Sequence, residues 1–356
     1  MKIVQFIYDS PRNPWVGGGG ALRVQNILKC LECFGHEITV VCGKCPGVDK
    51  IDSWNGLNYF PVGSRANNYL VSTLAYTLMA QNYLSRKSHQ FDVIIEDFAP
   101  WNPLYSYNNP SGTPAVLQVQ NFLGAAIPKK YPIIGNLFQW FESDYPHKFK
   151  SRIFVNQSLE SAFMMPGKII PMGVESSAID LPLNIGKYIG FLGRIDFAQK
   201  GLQDLIEAAA LLTTTPIKIA GRGPDEKRLQ KAIEPYPHME WVGPVSGMNK
   251  WKFLKDCQIL TMPSNFEGQP LVALEAAAIG TPIIASKIRE LDFVEATKLG
   301  AQVDTKDPIC FSNCMQEWFL NPEKCRETGL AGKEFARTKT WECIAKDFEE
   351  YCFSML

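Results

Sequence analysis

The sequence carries no excess of either charge: 36 lysines and arginines balance 36 aspartates and glutamates. That balance removes the basis for a polyanion-binding surface of the nucleic-acid type, and for an acidic tail. Histidine is scarce. The four present, His36, His89, His147 and His238, show no metal-ligand spacing. No apolar run reaches the about 20 residues that span a bilayer. The nearest, Tyr69 to Leu84, is interrupted by Ser72, Thr73, Gln81 and Asn82 and reads as a core helix. The N-terminal residues Met1-Lys2-Ile3-Val4 lead straight into a strand, without a secretory h-region or cleavage site. A cytoplasmic protein is expected.

Cysteine is not lacking. Cys30 and Cys33 form one C-x-x-C, and Cys42 and Cys45 another, among ten cysteines. The spacing alone would suit a four-thiolate zinc site. However, the first pair falls on an apolar helical stripe (Ala21, Val24, Leu28, Leu31) and Cys42 ends a strand. Zinc knuckles sit on tight turns, so reduced, half-buried thiols are expected and no metal site is assigned.

A chain of 356 residues exceeds one average domain. Short β-branched runs alternate with helical patterns in both halves. Ile3–Tyr8, Ile38–Cys42, Val93–Glu96, Ala115–Val119 and Arg152–Val155 read as strands of the first half. A second series starts at Tyr188–Leu192. Such alternation predicts an α/β protein with two doubly wound parallel sheets, Rossmann-like domains facing a cleft. The expected divisions are 1–172, 173–335 and a C-terminal helix in 336–356, with a linker running to Lys187. Trp341, Ile344, Phe348 and Tyr351 form one stripe of that helix. The stretch 121–150 breaks the pattern and is rich in aromatics, proline and lysine.

The string from Pro263 to Pro282 carries the most chemistry. Gly268 and Pro270 shape a turn, and the apolar run from Leu271 is a helix. Free backbone N–H groups at a helix start make an anion site. Glu267 precedes that start and Glu275 follows it, separated by seven residues. Carboxylates suit sugar and ribose hydroxyls rather than phosphate, so the arrangement reads as a nucleotide-sugar site. Arg194 closes the first strand of the second half and Lys200 follows in the same loop. Two cations at the carboxyl end of a parallel strand can neutralise a diphosphate. Gly17-Gly18-Gly19-Gly20 follows the first strand, where glycines allow close backbone approach to a ligand. Leu22 and Arg23 stand where G-x-G-x-x-G would need its third glycine, so a dinucleotide fingerprint is absent.

These residues resemble the retaining glycosyltransferases of the GT-B fold, family 4. The family form PS-x-x-E-G followed by E-A-x-A-x-G-x-P is matched at Pro263, Ser264, Glu267, Gly268, Glu275, Ala276, Ala278, Gly280 and Pro282. Arg194 and Lys200-Gly201 resemble the G-R…K-G motif that grips the donor diphosphate. The resemblance implies catalytic roles for Glu267, Arg194 and Lys200. It implies donor contacts from Gly18, Gly19, Gly20, Val245, Gly268, Gln269, Pro270, Leu271, Val272 and Glu275, with Glu275 on the ribose. Where many members place a sugar-contacting histidine, this chain has Gln120, followed by Asn121. An amide binds a hydroxyl but cannot act as a general base. There is no Asp-x-Asp, the metal-binding device of the other glycosyltransferase fold, and no metal or cofactor is expected.

The implied co-substrate is a nucleotide-diphosphate sugar, with UDP expected ahead of GDP or ADP on family frequency. The acceptor is a hydroxyl of a glycan, lipid or small molecule. In GT-B proteins the last helix packs back on the first domain, which holds the acceptor. Segment 121–150 is a candidate for peripheral contact with the inner face of a membrane, and equally for a solvated face. Two other readings stay open: a nucleotide-sugar 2-epimerase of the same fold, and a catalytically silent nucleotide-sugar-binding subunit.

Overall fold

The computed structural model describes residues 1–10, 13, 19–45, 52–54, 56–64, 68–267 and 270–356. The chain divides into two compact units. Unit 1 comprises Met1–Met172 with Trp341–Leu356, and unit 2 comprises Gly173–Thr340.

Unit 1 is built on β1 (Lys2–Ile7), β2 (Glu37–Gly43), β3 (Asp52–Trp54), β4 (Leu57–Val62), β5 (Val93–Asp97), β6 (Ala115–Val119), β7 (Ser151–Phe154) and β8 (Lys168–Ile169). They form one sheet in the order β3-β4-β2-β1-β5-β6-β7-β8. All pairings are parallel except β3 with β4. Ile3, Val4, Val40, Val41, Ile94, Ile95 and Leu117 are fully buried, as parallel strands covered on both faces require. The edge strands β3 and β8, of 3 and 2 residues, do not stand out in the sequence pattern, and neither does β4 beside β3, which runs through Pro61.

The helix Tyr69–Lys87 begins at Asn68, whose side chain accepts from the N–H groups of Leu70 and Val71. It packs on the core along one face only. Ser72, Thr73, Tyr76, Ala80 and Leu84 face inward, while Val71, Leu74, Leu78 and Met79 are exposed. The sheet covers only that side of it. Segment 121–150 holds the short helices Ala126–Lys130 and Gly135–Asp144. The Glu142 carboxylate ties it together by accepting from the N–H groups of Leu123 (2.8 Å) and Gly124 (2.6 Å). The C-terminal helix Trp341–Phe353 packs within unit 1 against the helix Gly19–Cys33. Its Glu349 reaches His36 at 2.6 Å, and Trp341, Ile344 and Phe348 are buried.

Unit 2 is built on β9 (Tyr188–Leu192), β10 (Ile217–Ala220), β11 (Met239–Gly243), β12 (Cys257–Met262), β13 (Ile283–Ser286) and β14 (Gly300–Val303). They form a wholly parallel sheet in the order β11-β10-β9-β12-β13-β14. Every residue of β12 is buried. The stretch expected as a linker contains the short helix Ser176–Ile179, with Ala178 and Ile179 in the core. The Lys333 ammonium donates to the carbonyls of Ile179 and Leu181 and fixes its end.

The topology locates the site. From β9 the chain winds one way through β10 and β11, then returns to the other side of β9 as β12 and winds outward through β13 and β14. The strand order therefore reverses between β9 and β12. Loops leaving the carboxyl ends of those two strands diverge there and open a crevice.

Candidate active site

Two loops meet at that reversal. The loop after β9 carries Arg194 and ends in the short helix Phe197–Lys200, whose N-cap Asp196 accepts from Gln199 N–H at 2.9 Å. The loop after β12 carries Pro263 to Glu267. Backbone and side chain bind them together: Asn265 N–H donates to Gln199 O at 2.9 Å, and Asn265 Nδ2 to Ala198 O at 2.8 Å. Gly201 makes this approach possible. Its φ is +60°, and a Cβ there would stand 1.9 Å from the Pro263 carbonyl oxygen. No side chain fits, so the Lys-Gly pair is a packing requirement of the two loops.

The result is a short, shielded contact. Lys200 Nζ lies 2.6 Å from Glu267 Oε1, and the Ser264 hydroxyl donates to the same oxygen at 2.6 Å. Ser264 is itself held, because Ser286 at the end of β13 donates to its carbonyl at 2.6 Å. The side chains of Lys200 and Glu267 are 17% and 3% exposed. Glu267 Oε2 makes no hydrogen bond among the described residues.

The helix Leu271–Ile279 follows. Its N-cap position is Pro270, which supplies no side-chain cap. Ala273 and Leu274 N–H bond to the Pro270 carbonyl, and no protein acceptor takes the Leu271 and Val272 N–H groups among the described residues. That leaves donors and the positive end of the dipole at the crevice. One turn later Glu275 points into a pocket of about 800 Å³ whose walls include Arg194, Arg222, Val245, Lys250 and Val272. Its Oε1 lies 2.5 Å from Lys250 Nζ, and the two side chains are 8% and 23% exposed. Burial raises the Glu275 carboxyl above its ordinary pKa. Lys250 works against that shift and Glu175 adds to it.

Arg194, Val245, Val272 and Glu275 thus line one pocket. Lys200, Glu267 and Pro270 stand at the adjoining loop and helix start, although Lys200 is turned to Glu267 and is not part of that pocket wall. Arg194 is the least confined of the set: its side chain is 64% exposed, with Nε 4.0 Å from Asp196. Gly268 and Gln269 lie outside the described residues, as does Gly18.

The unit 1 candidates form a separate group. Gln120, just past β6, donates from Nε2 to Asp97 Oδ1 at 2.5 Å, beside Gln118 Nε2 at 2.9 Å. A Cβ on Gly20 would sit 3.0 Å from Gln120 Oε1, so this glycine lets the helix Gly19–Cys33 start against the amide. Burial pushes the Asp97 carboxyl up to about 6, against the opposing amides and the Arg23 guanidinium. Arg23 is fully buried and donates to the Ile170 carbonyl at 2.6 Å. Gln120 is therefore anchored by a carboxylate. Asn121 is exposed and accepts from Phe122 N–H. Gly19 lies near Met172.

Sequence reading missed Lys250 and Arg222 as pocket residues. Arg222 lies in the Gly221-Arg222-Gly223-Pro224 turn after β10, whose glycines and proline suit a turn without a ligand. Lys250 has no spacing relation to Glu275 and is brought to it only by the packing of the helix Gly247–Asp256 on the helix Leu271–Ile279.

Comparison with known proteins agrees with this fold. Sucrose-phosphate synthase from Thermosynechococcus elongatus superposes with a TM-score of 0.80 at 18% identity, over 99% of this chain and 98% of that one. HepE from Anabaena, solved in complex with UDP-glucose, gives 0.72 at 16% identity over 99% and 100%. The architecture is that of GT-B glycosyltransferase structures. Among curated proteins, a phosphatidyl-myo-inositol mannosyltransferase of Mycolicibacterium smegmatis is 25% identical over 301 residues, 77% of this chain and 73% of that protein. For others the match spans about half of their length, as for a D-inositol 3-phosphate glycosyltransferase of Corynebacterium urealyticum, 28% identical over 49% of this chain and 44% of that protein. Residues 186–321, which hold Arg194, Lys200, both glutamates and Lys250, match the family described as Glycosyl transferases group 1.

Proposed function

We propose that the chain is a glycosyltransferase of the retaining family 4 type, transferring a sugar from a nucleotide-diphosphate sugar to a hydroxyl acceptor. The observation that carries this is the pair of glutamates at the strand-order reversal, each with one oxygen held by a lysine, on either side of an uncapped helix start. Departure of the nucleoside diphosphate develops negative charge on the distal phosphate. Arg194, Lys200 and the N–H groups at Leu271 and Val272 supply positive charge for it. Glu267 Oε2 then serves the donor-sugar hydroxyls, and Glu275 the ribose. Val245 offers its backbone to the base. UDP is the expected nucleotide, in line with the UDP-glucose complex of HepE. Gln120 and Asn121 are assigned to sugar hydroxyls from unit 1, the acceptor-binding unit.

A thermal-shift panel of UDP-, GDP- and ADP-sugars tests the reading, because a ligand bound to the native state alone raises Tm by mass action. A rise with one nucleotide series is expected, followed by transfer to an acceptor with the anomeric configuration kept. Release of a new nucleotide sugar from donor alone would contradict it and mark an epimerase.

The same reading takes the protein as cytoplasmic and the segment 121–150 as a point of peripheral membrane contact. Ile133 is 97% exposed, and Leu137 and Trp140 are exposed beside it on the helix Gly135–Asp144. Apolar and indole side chains displayed in this way insert at an interface. Co-sedimentation with vesicles containing phosphatidylglycerol is expected to fall at least several-fold in Trp140→Ala and Leu137→Ser. Unchanged sedimentation would remove the membrane from the proposal.

A further inference from the structure

We propose that Lys250 is a positioning residue that holds the Glu275 carboxylate for a vicinal diol, the cis hydroxyls of a ribose in the pocket. The proposal rests on the nucleotide reading above and adds to it a residue that no motif marks. Four observations converge. Lys250 and Glu275 come from different helices and meet on the wall of the same 800 Å³ pocket. Their contact is short, 2.5 Å, and involves Oε1 only. Glu275 Oε2 takes no hydrogen bond among the described residues and is not an enclosed orphan atom, so it opens to the pocket. Lys250 is also fixed from behind, with Nζ 4.2 Å from the centre of the Trp251 ring.

That geometry leaves one acceptor in a set direction. A carboxylate with both oxygens free could rotate about its last bond. With Oε1 bound to an ammonium that rests on an indole face, Oε2 is directed and both of its lone pairs remain for hydroxyl donors. The lysine answers an electrostatic need as well. Glu275 is buried beside Glu175, and both facts favour its neutral form. Lys250 is the opposing charge in contact, and Arg194 and Arg222 stand on the same pocket wall. A protonated Glu275 would keep one acceptor oxygen but lose the charge that makes a hydroxyl contact strong. The Glu267 site repeats the scheme, with Lys200 on Oε1 and no hydrogen bond to Oε2 among the described residues. There the lysine follows from the family motif, whereas Lys250 follows from the packing alone.

The test compares two ligands in calorimetric titration of the full chain: UDP and 2′,3′-dideoxy-UDP, with the guanosine pair in parallel and the tighter series read. Wild type is expected to prefer the ribose form by at least about tenfold, the size of a lost hydrogen bond to a charged group. In Lys250→Met, which keeps a stem against Trp251, affinity for the ribose form should fall about tenfold and that for the dideoxy form less than twofold. Lys250→Arg should restore the preference. The ratio of the two affinities cancels the titration of the diphosphate itself. In Lys250→Met that ratio should recover as pH rises, because Glu275 without its cation ionises only at higher pH. Equal losses for both ligands, or a ratio flat with pH, would overturn the positioning role. A wild type that binds both forms equally would overturn the ribose assignment of Glu275 instead, and a failure of both series to bind would overturn the nucleotide reading beneath it.

Discussion

Replacing Lys200 by alanine is expected to lower kcat by two to three orders of magnitude, about the effect of removing one preorganised charge from a developing oxyanion. Lys200 is the only cation in contact with Glu267 among the described residues, and it sits where the loop after β9 meets the loop after β12. Two costs must be told apart. Glu267 is nearly enclosed, so removing its partner leaves a buried carboxylate held by Ser264 alone, and stability should fall by a few kcal/mol. Activity should fall further than the folded fraction. Steady-state kinetics on protein shown folded by circular dichroism separates the two. Lys200→Ala/Glu267→Gln should regain stability, since the charge left behind is gone, and remain inactive. A single mutant with kcat within threefold of wild type would remove Lys200 from the mechanism.

Glu275→Ala is expected to act on binding rather than on the chemical step. The donor KM should rise by about tenfold to a hundredfold, the range for hydrogen bonds to a charged acceptor, with a smaller change in kcat. The loss of stability should be slight, because the Lys250 side chain is 23% exposed and its ammonium can turn to water. Glu267→Ala should give the opposite split, with kcat falling more than KM changes, since its Oε2 is assigned to the reacting sugar. An unchanged KM in Glu275→Ala, measured by initial rates at varied donor concentration, would contradict the assignment.

Much of this was legible in the sequence because it is local. The turn at Pro270, the helix from Leu271 and the seven-residue spacing of the glutamates sit in one string, and the loop cations sit in another. Short β-branched runs marked the central strands, since strands buried on both faces can hardly be anything else. What escaped reading depends on partners far along the chain. Lys250 looks like a solvated helix residue until two helices pack. The run Tyr69 to Leu84 looks like core until the sheet proves to cover only its Ser72–Tyr76–Ala80 side. Edge strands β3 and β8 carry too few residues for a period, and Pro61 obscures β4. Asp97 ends a strand like many others, and only the fold brings Gln118, Gln120 and Arg23 around it.

A crystal structure of the chain with UDP bound puts the whole arrangement to the test. The diphosphate should lie against the Leu271 and Val272 N–H groups, with the Arg194 guanidinium turned in from solvent and Lys200 within hydrogen-bond reach, and the ribose diol on Glu275 Oε2. A diphosphate ordered away from that helix tip, with Arg194 and Lys200 unmoved, would contradict the account.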